Sequence, residues 1–252
     1  MTQKILAKLM SFAGSNKLGL FKIAIASSFL VIVPQGQVKA ALLTVANNSF
    51  EAPIITAPQG FTNNNIISGW AVTPTGSAQT GVLNPLQAQS FASTNSTLLN
   101  NTFYNPGVGA PNGNQIAYSN GGTISQTLTG TTLQADTKYT LSASVGRRRI
   151  VTNFPSSIYN IQLLAGTTVL ASRNDIIPNL GDFADVSFSY TTVGIGTLPT
   201  GDLRIVLTSN GSQVGFDNVT LDASPDIPEP SAILGLLGFG LLGIASKLRQ
   251  KQ

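Results

Sequence analysis

The 252 residues include no cysteine and no histidine. These absences exclude a Ser-His-Asp triad, a thiolate nucleophile, a Cys/His zinc centre, a His-held haem and any disulfide framework. Charged residues are only 10% of the chain, so acid–base chemistry has few candidates, and tryptophan occurs once, at Trp70. No apolar run reaches the ~20 residues of a full membrane span. The two that come nearest lie at the ends, 11 residues over 23–33 and 14 over 232–245. The remaining chemistry is that of oxygen: carboxylates, amides and hydroxyls.

The charge that is present sits in the wrong place for a nucleic-acid protein. The formal charge of +4 is carried by five lysines in the first 40 residues and three cations in the last six. Between them, residues 41–226 hold six cations against nine acids, a net charge of −3. A mildly acidic middle gives no electrostatic footprint for phosphate, and no nucleic-acid partner is expected.

The N-terminal end has a basic stretch (Lys4, Lys8, Lys17, Lys22), then the short apolar run, then Pro34 and Gly36. Val38-Lys39-Ala40 satisfies the small-residue cleavage rule, which reads as a signal peptide over 1–40 cut between Ala40 and Ala41. At the other end Pro228-Glu229-Pro230 breaks the chain. Ser231 is a plausible helix N-cap, a Leu/Gly-rich helix is expected over 231–246, and Lys247, Arg249 and Lys251 close the sequence in 247–252. The 16 residues of that helix would span ~24 Å, short for a bilayer, with the cations on the cytoplasmic side.

The order Pro-Glu-Pro, Gly/Leu-rich helix, basic end resembles the PEP-CTERM sorting signal of bacteria that make extracellular polysaccharide. The resemblance implies an exported protein held briefly in the inner membrane. An exosortase would recognise Pro228, Glu229 and Pro230, remove the helix and pass the protein to the cell surface or matrix.

The middle, 41–222, is rich in Thr, Ser, Asn and Gly, and no stretch holds a helical apolar period over three turns. Residues 139–145 alternate apolar and polar, as do 186–190, and 203–207 and 214–221 read as further strands. Turn stretches separate them, Asn/Gly-containing at 120–122, 165–167 and 210–211 and the polar 133–137 with Asp136. Short alternating strands with frequent turns predict an all-β antiparallel sandwich. The Asn/Pro/Gly-rich stretch 84–114 is expected as a long ordered loop, and 223–230 as an exposed linker.

Residues 47–51 (Asn-Asn-Ser-Phe-Glu) on a first strand, Gly69-Trp70, 124–128 leading to 138–141, and a closing Gly215-Phe216-Asp217-Asn218-Val219 are similar to galactose-binding-like jelly rolls, many of them carbohydrate-binding modules. The resemblance implies neighbouring first and last strands that share a structural Ca²⁺. Its ligands would be Glu51 and Asp217, with Asn48 and backbone carbonyls helping; such an ion takes 6–8 oxygens at about 2.3–2.6 Å. Asn218 stands where the commonest pattern has a second acid.

For a ligand face, the loop aromatics Phe103, Tyr104 and Phe154 are candidates for an exposed platform, while Trp70 is expected in the core. Arg147, Arg148 and Arg149 follow Gly146. On a strand they would alternate faces, so they meet an acidic polysaccharide together only if the strand ends there; otherwise they blunt an edge. Asp175, Asp182 and Asp185 are the one acid cluster, and a glycosidase needs two carboxylates across a cleft, which their spacing does not provide. Sequons begin at Asn47, Asn95, Asn100, Asn210 and Asn218 and follow from composition. The expectation is a non-enzymatic, polysaccharide-associated surface protein. A polysaccharide hydrolase or lyase, and a coat protein with no sugar ligand, are the alternatives.

Overall fold

The computed structural model describes residues 41–94, 103–194 and 196–226. The expected signal peptide, Ala40, the sequons at Asn95 and Asn100, Pro228-Glu229-Pro230 and the tail helix lie outside them. Among the described residues no helix is long and apolar enough to cross a membrane.

Two antiparallel sheets pack face to face. One has the order β3 (Thr80–Leu83), β4 (Ile116–Ser119), β11 (Val214–Pro225), β6 (Thr137–Arg147), β9 (Asp182–Thr191), with β1 (Ala41–Leu43) also paired to β11. The other runs β2 (Ala71–Pro74), β5 (Gly122–Thr132), β10 (Asp202–Ser209), β7 (Tyr159–Ala165), β8 (Thr168–Arg173). This is the antiparallel sandwich that the alternation predicts and the jelly roll that the resemblance implies. The inward residues of β6, namely Tyr139, Leu141, Ala143 and Val145, are all buried. They meet Ile161, Leu163, Leu203, Ile205 and Leu207 of the facing sheet in one core. On the opposite face of β6 the polar residues form a cross-strand ladder with β9. Thr140 Oγ1 lies 3.0 Å from Ser189 Oγ, Ser142 Oγ donates to Ser187 Oγ at 2.9 Å, and Ser144 Oγ donates to Asp185 at 2.7 Å.

Three expectations need correction. Residues 47–51 form a turn after β1, not the first strand, because Asn47 and Phe50 take positive φ (47° and 56°). The Asn47 side chain ties the turn down: its amide donates to the carbonyls of Ala52 (2.7 Å) and Ser68 (2.8 Å), and its Oδ1 accepts from Ala52 N. Second, 84–114 is not all loop, since it contains helix α1 (Pro85–Thr94). The signal for it is Asn84-Pro85. The Asn84 side chain caps Gln87 N at 3.0 Å, and proline is preformed for the first helical position. Third, β11 continues through Ala223, Ser224 and Pro225, paired to Tyr139, Lys138 and Thr137, where a linker was expected from 223.

The outer face of the β3–β4 corner is covered too, so both strands are buried on both faces. Leu83, Ile116 and Tyr118 point there and pack under Ala88 and Ala92 of α1, with Phe103 and Tyr104. This second small core positions the site described next.

Candidate functional site

The last strand carries a fault that makes the site. The inward residues of β11 run Val214, Phe216, then Val219, Leu221, all with no exposed surface. The switch from even to odd is a bulge between Asp217 and Thr220, with Asn218 at φ 51°. On the same edge β11 pairs β4 before the bulge and β1 after it. The gap between is plugged by the 47–51 turn, where Val219 N donates to the Asn48 carbonyl at 2.9 Å. A bulge re-aims a side chain, and here the re-aimed residue is Asp217.

Asp217 lies on the outer face with no exposed surface, under the segment 110–115. Its Oδ2 accepts from Asn112 N at 2.8 Å, while Oδ1 is buried with no hydrogen-bond partner. Burial, offset in part by the backbone N–H groups of Asn112 and Asn218 and reinforced by the charge of Glu51, pushes its carboxyl up to about 7. Glu51 Oε1 accepts from Asn114 N and Gln115 N, both at 2.8 Å. Gly113, at φ +78°, is what lets the loop pass: a Cβ there would sit 2.4 Å from Glu51 Oε1. The Asn112 amide also donates to Asn218 Oδ1 at 3.2 Å.

Glu51 and Asp217, 166 positions apart, both accept from backbone N–H groups of the segment 112–115, and Asn48 meets β11 through its backbone carbonyl. The donor set is of the kind a hard cation takes: two carboxylates, one buried oxygen of Asp217 without a partner, and flanking amides and carbonyls. Among the described residues no cluster of three or more Asp, Glu, His or Cys is placed to hold a metal, so the charge available is that of two carboxylates.

Next to Asp217 stands Tyr104. It stacks on Phe183 (centroids 4.5 Å, planes 18° apart) over Gly146 and Gly215. A Cβ on either glycine would meet the Tyr104 hydroxyl, at 2.6 and 2.4 Å. The two adjacent strand glycines are the slot for this ring, and burial raises the hydroxyl's pKa.

Phe103, Tyr104 and Phe154 are all buried, so they are not an exposed platform. They sit in loops because the loops fold back: Arg149 N donates to the Phe103 carbonyl, and Phe154 packs on Tyr159 under the Arg147 guanidinium. The three arginines part company where β6 ends. Arg147 is spent on the carbonyls of Val151, Thr152 and Pro178. Arg148 turns onto the Phe103 ring, 4.6 Å from its centroid. Trp70 is in the core, 5.2 Å from Phe50, and donates to the Asn47 carbonyl. The aspartate cluster is dispersed: Asp175 pairs Arg173, Asp182 accepts from Phe183 N, and Asp185 takes the Ser144 hydroxyl.

Sequence reasoning missed Gln115 and Gln126, whose side chains lace the turns. Gln115 donates to the carbonyls of Phe50 and Pro53 at 3.0 Å and accepts from Ile55 N, and Gln126 bonds Ala46 and Gly69. Nothing local marks them, since their partners are tens of residues away.

A family model described as HpiC1-like, HpiC1 cyclase, matches residues 41–222. A second, the PEP-CTERM protein-sorting motif, matches 226–250. Among solved structures, a Stig cyclase, Fisc from Fischerella sp. TAU, in complex with (3Z)-3-(1-methyl-2-pyrrolidinylidene)-3H-indole, is 26% identical with a TM-score of 0.59, over 75% of this chain and 100% of that one. A cyclase from the same source in complex with 4-(1H-indol-3-yl)butan-2-one is 27% identical, TM-score 0.58, with the same coverage. The CBM22-1 xylan-binding domain of Paenibacillus barcinonensis Xyn10C is more distant (14%, TM-score 0.39, 74% and 96% covered) and says nothing about a ligand of this chain. No curated protein matches.

Proposed function

The chain belongs to the HpiC1 cyclase-like family, and from that premise we propose that it is an exported surface protein whose sandwich acts by binding polysaccharide, without catalysis. The PEP-CTERM motif marks an exported protein that an exosortase processes at the membrane. The proposed course is anchorage in the inner membrane before processing and residence at the cell surface or in the matrix after it.

The observation that carries the non-enzymatic reading is the closure over Asp217. A general acid must come within hydrogen-bond reach of its substrate, yet this carboxyl has no exposed surface and is roofed by Asn112 N. Glu51, whose charge acts on Asp217, is itself held by the backbone N–H groups of Asn114 and Gln115. Polysaccharide as partner is supported by the export route and by the hydroxyl ladder on β6 and β9. Structural calcium belongs to the same proposal: held by Glu51 and Asp217, with Asn48 supporting the bulge, it would pin the 47–51 turn and the 110–115 segment to β11. When bound it supplies only charge neutralisation.

The test is co-sedimentation of the purified full chain with extracellular polysaccharide from the producing cells, with polymer length followed in parallel. Binding with unchanged length is expected; shortening of the polymer, or no binding, contradicts the proposal.

A second reading, an enzyme of the cyclase class, is favoured by the family itself and by the indole ligands of the Fischerella cyclases. It requires the cover of α1 and 103–115 to open, giving a substrate access to Asp217, a carboxyl poised near neutral pH. Binding of 4-(1H-indol-3-yl)butan-2-one that is lost in Asp217→Asn would favour it.

A further inference from the structure

The sandwich reaches the sorting motif with no free linker between them. The match to that motif begins at residue 226, and Asp226 still belongs to the fold: its N donates to the Asp136 carbonyl at 2.7 Å. Just before it, Ala223, Ser224 and Pro225 pair with Tyr139, Lys138 and Thr137 of β6. On the other edge β1 pairs β11, with Ala41 opposite Ala223. Strand β1 therefore starts where β11 ends, and the expected signal cut would leave its N-terminus beside the exit of the tail. This end is laced together. The buried Thr192 hydroxyl donates to the Gln134 carbonyl (2.6 Å) and accepts from Thr137 N (2.9 Å), and Gln134 N donates to the Tyr139 hydroxyl at 2.8 Å. Two apolar side chains face water around the exit, Leu42 at 67% and Val193 at 68% exposure.

We propose that this end of the sandwich, around the β11 exit, is the docking surface for the exosortase, which takes the tail from a closed fold. This rests on the export-and-processing reading above and names the surface through which that partner is engaged. Pro228 lies two positions beyond Asp226, and a chain reaches at most ~3.6 Å per residue, so Pro228 is held within roughly 7 Å of the fold. Even a 100-residue enzyme has a radius of gyration of about 13 Å. It cannot close on Pro228 to Pro230 without touching the turn 133–136, the start of the 192–201 loop, or β1. The other route, peeling the end of β11, breaks pairing on both edges of the strand and pulls half-buried Ala223 off the core. Docking on the closed end keeps those pairs, and Leu42 and Val193 offer apolar area that a partner can cover. Asp217 stands eight positions back along β11 from Pro225, roughly 25 Å at the rise of a strand, so a docked enzyme leaves the carboxylate site clear.

Pulse-labelling of the full chain in the producing cells, with mass analysis of the product that has lost Arg249, tests this. Gln134→Arg combined with Val193→Arg enlarges and charges two exposed positions on this end and is expected to slow conversion at least fivefold. A ten-residue Gly/Ser spacer placed between Asp226 and Ile227 adds roughly 17 Å of reach. It is expected to restore the parental rate to the double variant, because the enzyme then no longer has to seat on the sandwich. A double variant that is slow through poor folding or export stays slow with the spacer. The chain has no cysteine, so Lys138→Cys with Ser224→Cys, at facing positions of β6 and β11, gives one cross-strand disulfide that blocks peeling. Its oxidised form is expected to be processed at the parental rate. Arrest of the oxidised form, with recovery on reduction, overturns the inference in favour of peeling. Conversion indifferent to the two arginines, or still slow with the spacer, overturns it too. In these cases the parent loses Arg249 and the processing reading stands; a parent that keeps Arg249 overturns both.

Discussion

Replacing Asp217 by Asn isolates the electrostatic tension at the β11 bulge. The carboxyl is buried and its proton affinity is raised from the ordinary 3.8 to about 7. A carboxyl raised in the folded state keeps its proton where the unfolded chain has already lost it. Stability from this group is therefore full below pH 3.8, falls as pH rises toward 7, and levels off above that. Each tenfold change in proton affinity is worth about 1.4 kcal/mol, so the interval amounts to on the order of 4 kcal/mol, an upper figure if the loop relaxes. Urea unfolding in EDTA at pH 5 and pH 8 is expected to show the parent losing a few kcal/mol between the two, and Asp217→Asn losing markedly less, since the amide keeps the acceptor for Asn112 N without the titration. With millimolar calcium the parent is expected to regain stability at pH 8 and little at pH 5, because the ion needs both carboxylates charged, and a ligand at a hundred times its Kd adds about 2.7 kcal/mol. A parent whose stability is flat from pH 5 to 8 in EDTA refutes the reasoning about Asp217. A calcium response that survives in Asp217→Asn refutes the site.

The remaining expectations concern packing. Gly215→Ala puts a methyl 2.4 Å from the Tyr104 hydroxyl and is expected to cost about 1–3 kcal/mol by overpacking; adding Tyr104→Phe should recover much of that, as a double-mutant cycle by chemical denaturation will show. Asn84→Ala removes the cap on Gln87 N and is expected to cost about 1 kcal/mol, measured the same way. Trp70→Ala empties a core position against Phe50 and should cost about 3–5 kcal/mol, with loss of the single tryptophan's buried fluorescence.

The sandwich was legible because alternation is a local consequence of burial on one face. Residues 139–145 gave their inward set correctly, and β9 and β10 followed the same rule. The bulge was missed although its mark is in the sequence: the two consecutive polar residues Asp217-Asn218 move the apolar set from 214 and 216 to 219 and 221, and what fills the gap, the turn 47–51, is far away in sequence. The helix at 85–94 was hidden by its weak apolar stripe, although Asn84-Pro85 announced its start. Glu51, Asp217 and Asn48 were singled out through a family pattern; at the bulge the Asn48 carbonyl accepts from Val219 N, and the charge of Glu51 acts on Asp217. The aromatics were misjudged in a different way. Loop position was taken as exposure, but Phe103 and Tyr104 roof the outer face of the sheet, which spacing alone does not reveal. The sorting motif at the C-terminal end was readable from the order of Pro-Glu-Pro, apolar run and cations.

Mass analysis of the endogenous protein from envelope and medium tests the central claim of export and processing most directly. The account predicts an N-terminus at Ala41 and a C-terminus near Pro228–Ser231. A mature product that still carries Arg249 would contradict it and leave a permanently anchored surface domain.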